Sequence, residues 1–118
     1  MAHPTVSPYF ILKDGAAFLS FLTTVFGATT IALHHNDKGG IMHGEAGIGD
    51  SVIMFGESSG AFPDETGSVF IYVKDTDETY RKAMAEGSES RQEPSDKDYG
   101  RAAGIRDPFG NTWWITQV

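Results

Sequence analysis

The sequence predicts an α+β protein of two tandem βαβββ modules, each a sheet with one helix laid on one face. Three observations predict it. Strand-like and helix-like runs follow each other in the same order twice along the chain. Short segments recur at half its length: Phe10-Ile11-Leu12-Lys13-Asp14 aligns with Ile71-Tyr72-Val73-Lys74-Asp75 at an offset of 61, and Ser51-Val52-Ile53-Met54 aligns with Asn111-Thr112-Trp113-Trp114 at 60. The second copy ends in Asp107-Pro108-Phe109-Gly110, a turn sequence, followed by the β-branched and aromatic run Thr112-Trp113-Trp114-Ile115-Thr116.

The elements follow in order. Val6–Lys13 reads as a strand, and Asp14 can cap a helix over Gly15–Phe26. Phe18, Leu22, Val25 and Phe26 recur at helical spacing, Phe21 widens the stripe, and Gly27 stops the helix. Thr29–His35 is the second strand, Asn36–Gly40 a turn, and Ile41–Ile48 the third strand. Gly49-Asp50 is a two-residue hairpin turn into a fourth strand, Ser51–Gly56. Residues 57–67 are polar and bear Gly and Pro, which reads as a linker. The pattern then restarts with a strand over Ser68–Lys74. Asp75 with Glu78 makes a capping box for a helix ending near Gly87, with Tyr80, Ala83 and Met84 on its apolar side. A weak strand spans Ser88–Glu93, a polar loop Pro94–Gly100, and strands Arg101–Arg106 and Asn111–Gln117 complete the copy. The expected organisation is one domain over residues 1–118, with modules at 1–56 and 68–118. Two such sheets, each with a bare face, are expected to curve as half-barrels around a cleft, helices outermost.

Composition narrows the function. The 118 residues are 40% hydrophobic and 12% aromatic, enough for a packed core. A net charge of −7 argues against nucleic acid as a partner. No apolar run is long enough to span a membrane, and no basic, apolar leader opens the chain, so a cytoplasmic location is expected. The absence of cysteine excludes disulfides, thiolate ligands and a cysteine nucleophile. No Walker loop, Gly-x-Ser-x-Gly or Gly-x-Gly-x-x-Gly is present.

The paired modules, the helix end Val25-Phe26-Gly27-Ala28, the segment Met42-His43-Gly44-Glu45 and the Asp107-Pro108-Phe109-Gly110 turn before Trp113-Trp114 resemble the vicinal-oxygen-chelate superfamily. That superfamily contains glyoxalase I, the bleomycin-resistance proteins and the extradiol dioxygenases. The ending is most similar to the small glyoxalase and bleomycin-resistance-like branch. The resemblance implies four metal-ligand positions, one on each of the first, fourth, fifth and eighth strands. In this chain those positions hold Ser7, Met54, Ser68 and Trp114. Hydroxyl, thioether and indole are poor ligands for Zn, Mn or Fe, so no metal and no cofactor is expected.

If those four positions face a cleft, strand alternation brings others with them: Tyr9, Ile11, Val52, Phe70, Tyr72, Thr112 and Thr116. The opposite parity collects Phe10, Leu12, Ile53, Phe55, Val69, Ile71, Val73, Trp113 and Ile115, a set suited to a core beneath the helices. The candidate ligand-binding residues are therefore Ser7, Tyr9, His43, Met54, Ser68, Phe70, Tyr72, Tyr99 and Trp114, and no catalytic residue is assigned. The aromatics suit a flat ligand, or else collapse on each other or on a second subunit. His43 and Glu45 share a face, as an acid–base pair or a satisfied polar pair. Tyr99 reads as a lid over the cleft or an anchor of its loop.

The resulting expectation is a metal-free, homodimeric binding protein that sequesters a flat aromatic natural product or antibiotic, as bleomycin-resistance proteins do. The other readings are a metal-dependent glyoxalase-like lyase or dioxygenase with displaced ligands, drawn from His43, Glu45 and His34 or His35, and a vestigial cleft that serves assembly.

Overall fold

A computed structural model describes residues 3–118; Met1 and Ala2, the start of the expected first module, lie outside the described residues. Chain contacts divide the protein into two compact units, one ending at Thr66 and one beginning at Gly67. Each has the same plan.

The first unit contains β1 (Tyr9–Leu12), α1 (Gly15–Phe26), β2 (Thr29–His35), β3 (Ile41–Ile48) and β4 (Ser51–Glu57). Its strands lie in the order β1-β4-β3-β2, with β1 parallel to β4 and the other pairs antiparallel. Asp14 caps α1 by accepting the Ala17 N–H at 3.0 Å. Gly27 ends it at φ 68°, a left-handed conformation that glycine adopts without a Cβ clash. The buried stripe is Gly15, Phe18, Phe21, Leu22 and Val25, with Phe26 half-buried beside it. Phe18 packs edge-on against Phe10 and Phe55, with ring centroids 5.8 and 5.3 Å away. Gly44 leaves room for this core: a Cβ there would stand 2.4 Å from the Phe55 ring.

The second unit contains β5 (Ser68–Val73), α2 (Thr76–Ala85), β6 (Glu89–Lys97), β7 (Gly100–Arg106) and β8 (Thr112–Gln117). Its order is β5-β8-β7-β6, with β5 parallel to β8. Asp75 caps α2 through the Glu78 N–H at 3.1 Å. Glu78 pairs with Arg81 on the helix surface, so only half of the expected capping box is described. Arg101 on β7 reaches Asp77 of α2 with two N–H groups, at 2.7 and 3.1 Å. That contact holds the Asp77 carboxyl below its ordinary range and the guanidinium above its own.

Four expectations are corrected. The sheets are open: neither closes nor curls strongly, so the curved half-barrels are not formed. Closure needs a strand stagger and a strand number that four strands covered by one helix do not supply. The 57–67 stretch is not a bare connection. Glu57 completes β4, Ser58 N–H donates to the Leu12 carbonyl at 2.8 Å, and Glu65 pairs antiparallel with Ile11 along the outer edge of β1. The sixth strand continues through Pro94 to Lys97, leaving only Asp98-Tyr99 as a turn. Proline is tolerated there because β6 is an edge strand with a register shift between Gln92 and Ser95. Finally, Val69, Ile71 and Val73 are half-buried rather than core. The short, polar α2 packs on β7, β6 and β8 and leaves the edge strand β5 less covered.

The turn before β8 is the most heavily bonded point of the second unit. Asp107 is buried, and its Oδ1 accepts the N–H groups of Phe109 and Asn111, both at 2.9 Å. Its Oδ2 accepts Asn111 Nδ2 at 3.2 Å and the Trp113 indole N–H at 2.8 Å. A carboxylate so placed is fully compensated for burial. Asp107→Asn puts an amide NH2 where at least one pair of these donors needs an acceptor. The variant is expected to lose roughly 2–5 kcal/mol in denaturant unfolding, from charge-assisted bonds worth about 1.5–3 kcal/mol each; unchanged stability would contradict this account of the turn.

Candidate functional site

The two neighbouring indoles part at β8. Trp113 is fully buried on the helix side, tied to Asp107. Trp114 is half-exposed on the opposite face, and its indole N–H donates to Ser68 Oγ at 2.9 Å. Strand register brings Phe70 opposite Trp114, and the Phe70 ring meets Tyr72 edge-on at 5.1 Å. Ser68, Phe70, Tyr72 and Trp114 therefore share one face of the second unit, with Phe70 51% and Tyr72 65% exposed.

Two further residues shape this face, and sequence reasoning missed both. Gly104 lies opposite Trp114 on β7, where a Cβ would stand 2.7 Å from the indole. The ring thus lies flat over bare backbone. The signal was the small-residue run Ala102-Ala103-Gly104 beside an aromatic strand. Arg91, whose Cβ lies 3.4 Å from that same point, directs Nη1 to the Thr112 hydroxyl at 3.4 Å, two residues along β8 from Trp114. Tyr99 is exposed in the tight β6–β7 turn, not on a seven-residue loop.

In the first unit, Tyr9, Met54 and Glu45 lie side by side in register on β1, β4 and β3. Tyr9 and His43 meet with ring centroids 5.6 Å apart, and the phenol oxygen is 3.3 Å from His43 Nδ1. His43 Nε2 bonds Glu45 Oε2 at 2.8 Å, and His3 Nε2 bonds Glu45 Oε1 at 2.7 Å. The N–H donors of His43 first, then His3, hold the Glu45 carboxyl below its ordinary value of 4.5. His3, ahead of β1, is thus part of the cluster. Ser7 sits just before β1, and its hydroxyl is buried without a hydrogen-bond partner among the described residues.

Beside Tyr9 the same unit holds a pocket of about 550 Å³, whose walls include Ile11, Met42, Gly56, Glu57 and Phe62. Its size suits a small organic ligand. Met42 and Phe62 are 61% and 65% exposed. Neither was selected from the sequence: Met42 turns to this side at the register shift between His34 and His35, and Phe62 stands in the segment that folds back along β1. Two expected cleft residues, Val52 and Thr116, are instead buried.

Ser7, Met54, Ser68 and Trp114 do not fit a divalent metal, because a hydroxyl already bonded to an indole N–H, a second hydroxyl, a thioether and an indole offer no strong ligand. Among the described residues, no group of three His, Asp or Glu side chains is arranged to hold a metal ion. His34 stands opposite His43 in register, with ring centroids 5.9 Å apart. No helix among them is long and apolar enough to cross a membrane.

Comparison with known proteins gives the family. Residues 3–115 match the Glyoxalase/Bleomycin resistance protein/Dioxygenase superfamily, and the chain belongs to it. No curated protein sequence matches. Among solved structures, TioX from Micromonospora sp. ML1 is similar at 24% identity and TM-score 0.79, over 99% of this chain and 98% of that one. Protein PA1353 from Pseudomonas aeruginosa follows at 21% and 0.77, over 97% of each. TnmS3 from Streptomyces sp. CB03234, described as an antibiotic binding protein, shares 15% identity at TM-score 0.66, over 99% of this chain and 98% of that one. At these identities the likeness is one of fold.

Two outcomes follow from the site. Gly104→Ala is expected to lift the Trp114 indole, break its bond to Ser68 and shift tryptophan emission, at a cost of about 1–3 kcal/mol for overpacking; an unaltered spectrum would contradict the flat placement. Glu45 is held more acidic in the fold than in the unfolded chain. Its contribution is therefore complete above its ordinary value and is lost as pH falls through the folded one. Glu45→Gln should flatten the fall in unfolding midpoint as pH drops below 4.5, as followed by thermal melts; a fall as steep as in the parent would count against the cluster.

Proposed function

We propose that this protein is a metal-free small-molecule binder that sequesters a flat aromatic natural product or antibiotic. One observation carries the reading: at all four positions where enzymes of this family hold a metal, this chain has residues suited to packing and hydrogen bonding instead. Two of the four, Ser68 and Trp114, are bonded to each other beside exposed Phe70 and Tyr72. Flat aromatic surfaces of this kind gain about 0.5–1.5 kcal/mol per stacked ring beyond area burial. The antibiotic-binding description of TnmS3, a structure of the same fold, points the same way.

The ligand residues in this proposal are Ser7, Tyr9, His43 and Met54 in the first unit and Ser68, Phe70, Tyr72 and Trp114 in the second, with Tyr99 at the margin. Both units acting as one binding domain is part of it, and the family match across residues 3–115 supports that. So is a homodimer, supported by the exposed apolar surface of Phe70 and Tyr72.

The test is titration of intrinsic tryptophan fluorescence with a panel of flat aromatic antibiotics. At least one is expected to quench emission saturably, and Trp114→Ala to weaken its binding about tenfold, the loss of one well-placed aromatic contact. No quenching by any ligand, or full affinity in Trp114→Ala, would overturn the proposal.

A further inference from the structure

The Tyr9–His43–Glu45 chain fixes the direction of its own hydrogen bonds. An ionised carboxylate only accepts, so the Glu45 oxygens at 2.7 and 2.8 Å require a proton on Nε2 of both His3 and His43. A neutral imidazole protonated at Nε2 has a bare Nδ1. In His43 that nitrogen faces the Tyr9 phenol oxygen at 3.3 Å. The phenol proton therefore points back at His43, and the remaining lone pairs of the Tyr9 oxygen point away from it.

Those lone pairs border the pocket formed with Ile11, Met42 and Phe62. Gly56 keeps the space open, since a Cβ there would come within 3.0 Å of the Tyr9 oxygen. Glu57 on the wall is also an acceptor, using Oε2 to receive the Gly15 N–H at 2.8 Å, while Asn36, Ser58 and Ser59 add amide and hydroxyl groups to the lining. The walls thus offer apolar faces for a ring, with the Tyr9 oxygen as an oriented acceptor beside mixed polar groups. We infer that this first-unit pocket selects flat rings carrying a hydroxyl donor, such as phenols and hydroquinones, with Tyr9 held as the acceptor by His43 and Glu45.

The inference rests on the proposed binding function and narrows its ligand class. Glu45 and His43 are positioning residues, and Tyr9 touches the ligand. The experiment is calorimetric titration of the full chain with 1-naphthol and with 1-methoxynaphthalene, which share a ring system and differ by the donor proton. At about pH 8 the parent is expected to prefer 1-naphthol by about five- to tenfold, one net hydrogen bond. Tyr9→Phe should bring the ratio close to one; Tyr9 is 47% exposed, so folding is not at stake. Glu45→Gln, which no longer demands a proton on His43 Nε2, should shrink the preference with Tyr9 intact. Equal affinities in the parent, or a preference that survives Tyr9→Phe, would overturn this inference while leaving the binding function standing. Failure of both compounds to bind would overturn this inference too, while the binding function stands or falls on the antibiotic titration.

Discussion

A single buried carboxylate sets the face of the last strand. Asp107 accepts two backbone N–H groups of its own turn, an amide from Asn111 and the indole N–H of Trp113. Asn111 in turn accepts the Gly67 N–H at 2.9 Å, fastening the turn to the start of β5. Fixing Trp113 inward fixes Trp114 outward, because a strand cannot turn two neighbours the same way. A slip of one residue would exchange every side chain of β8 between core and surface. The parallel pairing of β5 with β8 then carries the same parity to Ser68, Phe70 and Tyr72.

The first unit reaches the same division by other contacts. There Phe10, Phe18 and Phe55 interlock beneath α1, with Gly44 clearing space for the Phe55 ring. The other face carries a polar chain rather than an indole, running from Tyr9 through His43 to Glu45 and His3. In the second unit, glycine clears space on the opposite side, where Gly104 lies under Trp114. The repeat thus preserves topology while assigning its small residues to different faces. One unit presents carboxylate and imidazole, and the other presents indole, phenol and a nearby arginine.

Much of this could be read from the residues. The half-length repeat gave the two βαβββ units, the caps at Asp14 and Asp75 placed both helices, and alternation separated Trp113 from Trp114. What escaped reading depends on contacts distant in sequence. The bonding of His3 to Glu45 joins residues 42 apart, and no local pattern announces it. The return of residues 58–66 along β1 brings Phe62 to the pocket, yet its Ser, Gly and Pro content reads only as irregular chain. Pro94 misled the sixth strand, because a proline signals a break unless the strand is known to lie at an edge. The half-barrel was an extrapolation from two sheets with one bare face each, and sheet curvature is a property of pairing and twist that residue pattern does not encode.

The claim on which the account rests is that one indole belongs to the fold and its neighbour to the ligand. The two indole N–H resonances in a nitrogen–proton correlation spectrum report on this directly, with Trp113→Phe and Trp114→Phe assigning them. On adding a flat aromatic ligand, the Trp114 resonance should move and saturate while the Trp113 resonance, held on Asp107, stays in place. Equal movement of both, or movement of Trp113 alone, would contradict it.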